Sequence, residues 1–152
     1  MILEILQYPH ETLNQKSTPV RKITKDLQEF GKDLIETLDV ANGLGLAANQ
    51  VGRTVRVLAM KYKTKTIVLY NPIVVSKSKI RRPSKEGCLS FDYECIIKRH
   101  VSCKVKYLDI NNKQKYIEFE GLDAIVFQHE LNHLDGLTFA DIDDKIIIEE
   151  GK

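Results

Sequence analysis

Two segments of the chain carry apolar residues at helical spacing. In the first, the residues that share one face are Leu27, Phe30, Leu34, Ile35, Leu38 and Ala41. Thr24 precedes this run as a suitable N-cap, and Asn42-Gly43 follows it as a suitable stop signal. The pattern therefore predicts an N-terminal amphipathic helix over residues 25–41.

The second helix is predicted to begin at Gly121 and to end at Asp135-Gly136. Its shared face is formed by Leu122, Ile125, Val126, His129 and His133. Because two of these five residues are histidines, this face is a candidate for chemistry as well as for packing.

Alternating and continuous apolar runs predict four strands, over residues 55–60, 66–70, 101–107 and 116–119. We expect Asn71-Pro72 to end the second of them, although residues 73–75 can continue it. Residues 43–52 are expected to form a loop rich in glycine and alanine. Residues 77–85 are polar and basic, which is typical of a solvated loop. The segment Ile146–Ile148 has no assignment.

The chain has 152 residues, of which 43% are apolar and 29% are charged. These values exclude a disordered or fibrous chain and fit a single domain over residues 1–152. A net charge of +2 gives no reason to expect nucleic acid as a partner. We expect no membrane association, since no apolar run reaches ~20 residues. Three cysteines and the lack of a secretory signal favour reduced thiols in the cytoplasm.

The pattern H-E-x-x-H occurs once, as His129-Glu130-Leu131-Asn132-His133. Histidines at i and i+4 lie one above the other on a helix, so both imidazoles can bind one metal ion. Glu130 lies beside that face, where it can take a proton without being a ligand. The alternative is an amphipathic helix that carries two histidines and binds no metal.

A metal site that is open to substrate needs a third protein ligand. No histidine follows the pattern, and Glu149 and Glu150 lie in a tail without a predicted helix. Upstream, Cys88 can supply a thiolate, and the neighbouring Gly87 lets the backbone approach closely. The alternative for Cys88 is a small buried apolar residue.

The segment Gly43-Leu44-Gly45-Leu46-Ala47-Ala48-Asn49-Gln50 contains the dinucleotide fingerprint G-x-G-x-x-A. It follows a predicted helix instead of a strand, and no acidic residue stands ~20 positions further on, so we exclude that interpretation. The small residues more simply let the backbone lie close to the metal-binding helix. Gln50 can then direct an amide N–H at a developing oxyanion, unless it is a surface amide.

Three motifs together resemble those of the peptide deformylases, metallohydrolases that remove the formyl group from nascent N-formylmethionyl chains. In order, the motifs are Gly43-Leu44-Gly45-Leu46-Ala47-Ala48-Asn49-Gln50, Glu86-Gly87-Cys88-Leu89-Ser90 and Gln128-His129-Glu130-Leu131-Asn132-His133. Lesser matches are Tyr8-Pro9 with Leu13, Pro19-Val20, Gln50-Val51-Gly52, Asn71-Pro72-Ile73 and Arg99. The resemblance extends from Ile2 to about Asp141.

The resemblance implies an α+β fold, in which short, mostly antiparallel strands surround a central metal-binding helix. It implies Cys88, His129 and His133 as the ligands of one divalent ion. Fe²⁺ is the first expectation for this ion, with Zn²⁺, Ni²⁺ or Co²⁺ as substitutes.

The resemblance also implies roles in catalysis and in substrate binding. Glu130 would be the general base, and Gln50 and the backbone N–H of Leu89 would stabilise the oxyanion. The substrate-binding residues would be Leu44, Gly45, Gly87, Arg99, Ile125 and Val126. Core packing also explains the last two.

The chain departs from the family pattern in three places. Phe91-Asp92-Tyr93 stands where the family often has a proline, in a segment that should border the substrate groove. Asn132 stands where aspartate is common, at a position that should face away from the metal. Only 19 residues follow His133, whereas many bacterial members continue into a long helix that docks on the ribosome. We therefore expect N-formylmethionyl peptides as partners, without direct ribosome docking.

Two other classes of protein stay open at this point. One is another small H-E-x-x-H hydrolase, such as a peptidase. The other is a non-enzymatic domain held by a structural metal, which has no use for Glu130 or Gln50 and would need a fourth protein ligand.

Overall fold

Two helices lie on opposite faces of a five-stranded antiparallel sheet. The structure is a computed structural model, and it describes residues 1–148. The first helix, α1, spans Lys25–Ala41, as predicted. The Thr24 hydroxyl accepts from the Leu27 N–H at 3.3 Å, and Asn42 ends the helix in the left-handed region at φ 56°.

The large sheet has the strand order β1-β2-β3-β6-β7. Its strands are β1 (Gly45–Ala47), β2 (Val57–Tyr62), β3 (Lys65–Lys77), β6 (Ser102–Leu108) and β7 (Gln114–Glu120). Alternate side chains of β2 and β3 enter two separate cores. Val57, Ala59 and Val68 pack against α1, whereas Leu58 and Leu69 pack against the second helix.

The prediction that Asn71-Pro72 ends a strand was wrong. β3 continues through both residues, and its register with β6 shifts between Tyr70 and Ile73. The Asn71 side chain supports this bulge, because its oxygen accepts from the Val20 N–H and its nitrogen donates to the Val20 carbonyl, both at 2.7 Å.

A second, three-stranded sheet has the order β4-β5-β8. It contains β4 (Arg81–Glu86), β5 (Glu94–His100) and β8 (Ile146–Ile148). The expected basic loop over residues 77–85 is therefore wrong, since it holds the end of β3 and most of β4. The glycine-rich segment also departs from a simple loop, because it forms β1 and then a short 3-10 helix over Ala48–Val51.

The second helix, α2, spans Gly121–Leu134, with both ends as predicted. It buries Ala124, Val126, Phe127 and Leu134 against the large sheet. Its other side meets β5 of the small sheet. The fold is α+β with antiparallel strands around α2, which confirms the expected fold class. Within residues 1–148, neither helix has the length and apolar character needed to cross a membrane.

Candidate metal centre

The three motifs meet at one cavity of about 320 Å³. Its wall is formed by the start of β1, the turn after β4 and the middle of α2. The residues that line it are Gly43, Leu44, Gly45, Gln50, Lys85, Glu86, Gly87, Cys88, Leu89, Leu122, Ile125, Val126, His129 and Glu130. Segments that are about 40 residues apart in sequence therefore build a single site.

Cys88, His129 and His133 form a compact group of donor atoms, all within 4.8 Å of one another. The Nε2 atoms of the two histidines are 3.3 Å apart, and the Cys88 Sγ is 3.3 Å from Nε2 of His133. A tetrahedral ion with metal–nitrogen bonds of ~2.0–2.1 Å needs its nitrogen ligands roughly 3.3 Å apart. The group therefore fits one such ion, and among residues 1–148 it offers three protein ligands.

A buried carboxylate fixes the orientation of His129. Oε1 of Glu86 lies 3.0 Å from Nδ1 of His129, so Nδ1 carries the proton and Nε2 faces the other donors. Burial favours a lower pKa for His129, but the charge of Glu130 and the contacts with Cys88 and Glu86 outweigh it and raise the pKa to about 10. The negative charges around His129 favour any cation at Nε2, whether a proton or a metal ion.

Glu86 is itself held as an anion by Arg99. The Nε and Nη2 atoms of Arg99 donate to the two Glu86 oxygens, each at 2.8 Å. Burial favours a higher pKa for Glu86, but the hydrogen bonds from Arg99 and His129 outweigh it and lower the pKa to about 2. Arg99 also donates to the Oδ1 atom of Asn132 on α2.

The structure places Arg99 differently from the expected substrate-binding position. Its side chain is buried, lies behind Glu86 and does not line the cavity. The physical reason is the two-pronged pair with Glu86, which commits the guanidinium to the carboxylate that orients His129. Arg99 therefore acts on the donor group through Glu86, and a contact with substrate stays a prediction.

Glu130 is buried beside the donor group. Its Oε2 atom lies 3.9 Å from Nε2 of His129, and its Oε1 atom has no hydrogen-bond partner among residues 1–148. Burial raises the pKa of Glu130 to about 7. Gly45 makes room for this carboxylate, because a Cβ at position 45 would lie 2.5 Å from Oε2. Such a carboxylate is suited to taking and returning a proton near neutral pH.

The Gln50 amide is fixed by its neighbours. Its Oε1 accepts from the Ala47 N–H at 2.9 Å, which turns the NH₂ group toward Cys88 and Ser90. Nε2 donates to the Ser90 hydroxyl at 3.0 Å and lies 3.7 Å from the Cys88 sulfur. The backbone N–H of Leu89 donates to no acceptor within the described part of the chain. Both expected oxyanion donors thus border the same cavity.

The remaining expected substrate residues, Leu44, Gly45, Gly87, Ile125 and Val126, all line the cavity. The Phe91-Asp92-Tyr93 segment, which is expected to border the substrate groove, does not line this cavity. Phe91 stacks on Tyr8 with ring centroids 4.6 Å apart and also contacts Phe139, so the segment is drawn into an aromatic cluster.

Three supporting residues escaped the sequence analysis. Glu86 orients His129, Ser90 holds the Gln50 amide, and Lys85 adds a cation to the cavity rim. All three lie within two or three residues of Cys88. An acidic residue two positions before a candidate thiolate ligand was the available signal for Glu86. The two glutamates of the tail, Glu149 and Glu150, lie outside the described residues.

An α+β fold with a Cys-His-His donor group and a buried carboxylate beside it defines a small metal-dependent hydrolase. The sequence profile of the polypeptide deformylase family matches residues 2–146. The chain belongs to this family, which confirms the resemblance drawn from its three motifs. Peptide deformylases are enzymes that remove the formyl group from nascent peptides, and this is the function of the chain.

Individual relatives are similar to this chain over most of their length. A peptide deformylase of Thermodesulfovibrio yellowstonii is 42% identical over 147 residues, which cover 92% of this chain and 88% of the relative. The crystal structure of peptide deformylase from Thermotoga maritima superposes with a TM-score of 0.89 at 32% identity, over 93% of this chain and 97% of that one. A Met-Ala-Ser-bound class I type b peptide deformylase of Acinetobacter baumannii has a TM-score of 0.89 at 26% identity, with 93% and 99% covered.

Proposed function

We propose that this enzyme acts on the N-terminal formylmethionine of newly made polypeptides, and that its reaction centre is the group of Cys88, His129, His133 and Glu130. The observation that carries the proposal is the convergence of three soft donor atoms beside a buried carboxylate and an apolar cavity. We place the enzyme in the cytoplasm, as one catalytic domain, and the reaction needs no nucleic acid.

Cys88, His129 and His133 would hold a single divalent ion, and we propose Fe²⁺ as the native one. Thiolate and imidazole ligands also suit Zn²⁺, Co²⁺ and Ni²⁺, so metal availability decides among them. When bound, the ion supplies Lewis-acid activation of water and of the formyl oxygen. Burial lowers the pKa of His133, which favours the neutral imidazole that a metal ligand requires.

Glu130 would act as the general base and then as the general acid. Its carboxylate takes a proton from the attacking water and returns it to the amine that leaves when the C–N bond of the formamide breaks. The pKa of about 7 that burial gives this group suits both transfers. Gly45 keeps the carboxylate within the cavity by leaving the space that a side chain would occupy.

Gln50 and Leu89 would stabilise the negative charge that develops on the formyl oxygen. The Gln50 amide is fixed from both sides by Ala47 and Ser90, so it needs no reorganisation as the charge forms. The N–H of Leu89 lies one residue after Cys88, on the same wall of the cavity.

The substrate would lie as an extended strand between two free sheet edges. β1 is an edge strand of the large sheet and β4 is an edge strand of the small sheet, and the cavity lies between them. Gly87 leaves this approach open, since a Cβ there would meet only Glu94, at 3.9 Å. Backbone pairing of this kind accepts many sequences, and a side-chain pocket then selects methionine.

The methionine side chain would enter the apolar part of the cavity. Leu44, Ile125 and Val126 line it, and the first of these is half exposed at the rim. Val126 also packs in the core, so it serves both purposes. The peptidase alternative is not favoured, because every comparison agrees on deformylases.

The proposal predicts that metal-loaded enzyme releases formate from formyl-Met-Ala-Ser and leaves acetyl-Met-Ala-Ser and free Met-Ala-Ser intact. The formyl carbon carries only hydrogen, whereas an acetyl methyl would have to fit beside Glu130. Formate release and amine formation, measured on anaerobic samples of known metal content, test this. Cleavage of the Met-Ala bond would instead indicate a peptidase.

We expect Gln50→Ala to lower kcat by roughly 10²–10³, the usual loss for one oxyanion donor. The metal content should not change, because Gln50 is not a ligand. The measurement is steady-state kinetics on formyl-Met-Ala-Ser, with metal analysis of the same sample.

Ser90→Ala is the matched control for this variant. It removes the partner of the Gln50 amide but leaves the amide itself, so a much smaller loss is expected. A Gln50→Ala enzyme within a few-fold of wild type would mean that Leu89 and the metal stabilise the charge alone.

A further inference from the structure

A second cavity lies beside the part of α2 that carries Gln128, Leu131 and Asn132. It has a volume of about 260 Å³ and opens where the end of β3, the small sheet and the last turns of α2 meet. We call it the basic cleft. Its polar lining consists of Lys77, Arg81, Lys98, Arg99, His100, Gln128 and Asn132, and the rest is Val74, Cys103 and Leu131.

The basic cleft concentrates positive charge without a counter-charge. Lys77, Arg81 and Lys98 are exposed, and none of them forms an ion pair with another residue within 1–148. The Arg99 charge is matched by Glu86, which lies beneath it and does not line the cleft. No aspartate or glutamate is among the lining residues. The cleft therefore carries three uncompensated cations, although the chain as a whole has a net charge of only +2.

Asn132 supplies a hydrogen-bond donor at the floor of the cleft. Its Oδ1 atom accepts from Arg99, which leaves the NH₂ group without a hydrogen-bond partner among residues 1–148. An aspartate at this position would instead add a negative charge and a free acceptor oxygen. The asparagine therefore removes the one charge that would repel an anion from the cleft.

The walls of the basic cleft are held in place. The Gln128 amide donates to the His100 carbonyl at 2.8 Å and accepts from the His100 N–H at 2.9 Å, which ties α2 to β5. Nδ1 of His100 donates to the Ser78 carbonyl at 2.7 Å, which ties β5 to the segment between β3 and β4. These contacts fix the backbone segments that carry the cationic side chains and leave the charges themselves free.

We propose that the basic cleft is a binding site for a phosphoryl group. Lysine and arginine side chains with an amide NH₂ supply many donors and no acceptor, which matches an anion with several oxygens. A volume of about 260 Å³ accommodates a free phosphate ion and is small for a whole nucleotide. Inorganic phosphate is therefore the favoured source of the phosphoryl group. The alternative source is a phosphate of a nucleic-acid strand.

The test is calorimetric titration of the metal-loaded enzyme with inorganic phosphate, and separately with a single-stranded RNA dodecamer, at about 0.15 M ionic strength. Lys98→Ala and Arg81→Ala should each weaken phosphate binding at least roughly tenfold, the lower range for one charge-assisted hydrogen bond. Asn132→Asp should weaken it further. Lys113→Ala removes an exposed cation that does not line the cleft and should have no effect.

Phosphate could also bind at the metal, so each titration is repeated with saturating Met-Ala-Ser in the first cavity. Binding that persists with this peptide and falls in Lys98→Ala supports the cleft, and formate release by Lys98→Ala should match wild type. If only RNA binding depends on Lys98 and Arg81, the phosphoryl group comes from a nucleic acid. Phosphate and RNA binding that are both insensitive to Lys98 and Arg81, or that are lost when the peptide is present, would overturn the proposal.

Discussion

Cys88→Ala should purify with little or no bound metal and without formate release. Loss of a partner that merely orients a ligand typically costs 10–100-fold in metal affinity, so loss of a ligand should cost at least roughly 100-fold. The remaining pair, His129 and His133, cannot complete a site with three protein ligands. Metal analysis after dialysis against a known free concentration of Zn²⁺ measures the effect.

The same variant should lose the stabilisation that metal binding gives to the fold. A ligand at 100 times its Kd stabilises the native state by about 2.7 kcal/mol. Chelator should therefore lower the Tm of the wild type and leave the Tm of Cys88→Ala unchanged. Cys103→Ala is the matched control, because this thiol is buried in the core and burial raises its pKa to about 11. Full metal occupancy in Cys88→Ala would remove Cys88 from the ligand set.

Both helices were predictable from the sequence because local signals agree with tertiary packing. In α1, the apolar stripe, the Thr24 cap and the left-handed Asn42 all point to the same bounds. In α2, the start at Gly121 and the stop at Gly136 both coincide with positive φ values, 57° and 76°.

Four of the eight strands within residues 1–148, β1, β4, β5 and β8, were not predicted, because their long-range pairing contributes more than their local pattern. β1 has only three residues, which pair with β2 across a connection that includes a 3-10 helix. β4 reads Arg-Arg-Pro-Ser-Lys-Glu, and its polar side chains are tolerated because it is an edge strand with much of its surface in solvent. β8 is extended because its three residues pair with β5.

The residues of the candidate site that belong to the three motifs were predictable from the sequence. Those motifs place Gln50, Cys88, His129 and Glu130 around one cavity. The role of Arg99 was not predictable, since an arginine at this position of the sequence can face a substrate or a carboxylate with equal ease. Only the three-dimensional pairing with Glu86 decides between these two positions.

Glu130→Gln is expected to lower kcat by about 10²–10⁴, the contribution of a general base. The glutamine keeps the size of the side chain and fits the space beside Gly45, but it cannot take a proton. His129 and His133 are unchanged, so the variant should bind one metal ion per chain. KM should change little, because the lining of the methionine pocket is intact.

The pH profile distinguishes proton transfer from a loss of structure. The Glu130 carboxylate accepts a proton only when it is ionised, so kcat/KM of the wild type should fall as the pH falls through its pKa. Burial raises this pKa to about 7, and a nearby cation lowers it, so the acidic limb is expected at or below pH 7. Glu130→Gln should lack this limb.

Glu118→Gln is the matched control, since it makes the same chemical change at an exposed position on β7 and should retain both the rate and the acidic limb. A Glu130→Gln enzyme that folds, holds its metal and releases formate at near the normal rate would contradict the role given to Glu130. Water would then be activated by the metal ion alone, and the buried carboxylate, with Oε1 unpartnered within residues 1–148, would lack an explanation in the reaction. Loss of both the rate and the acidic limb, with retention of metal, would instead support proton transfer by this carboxylate.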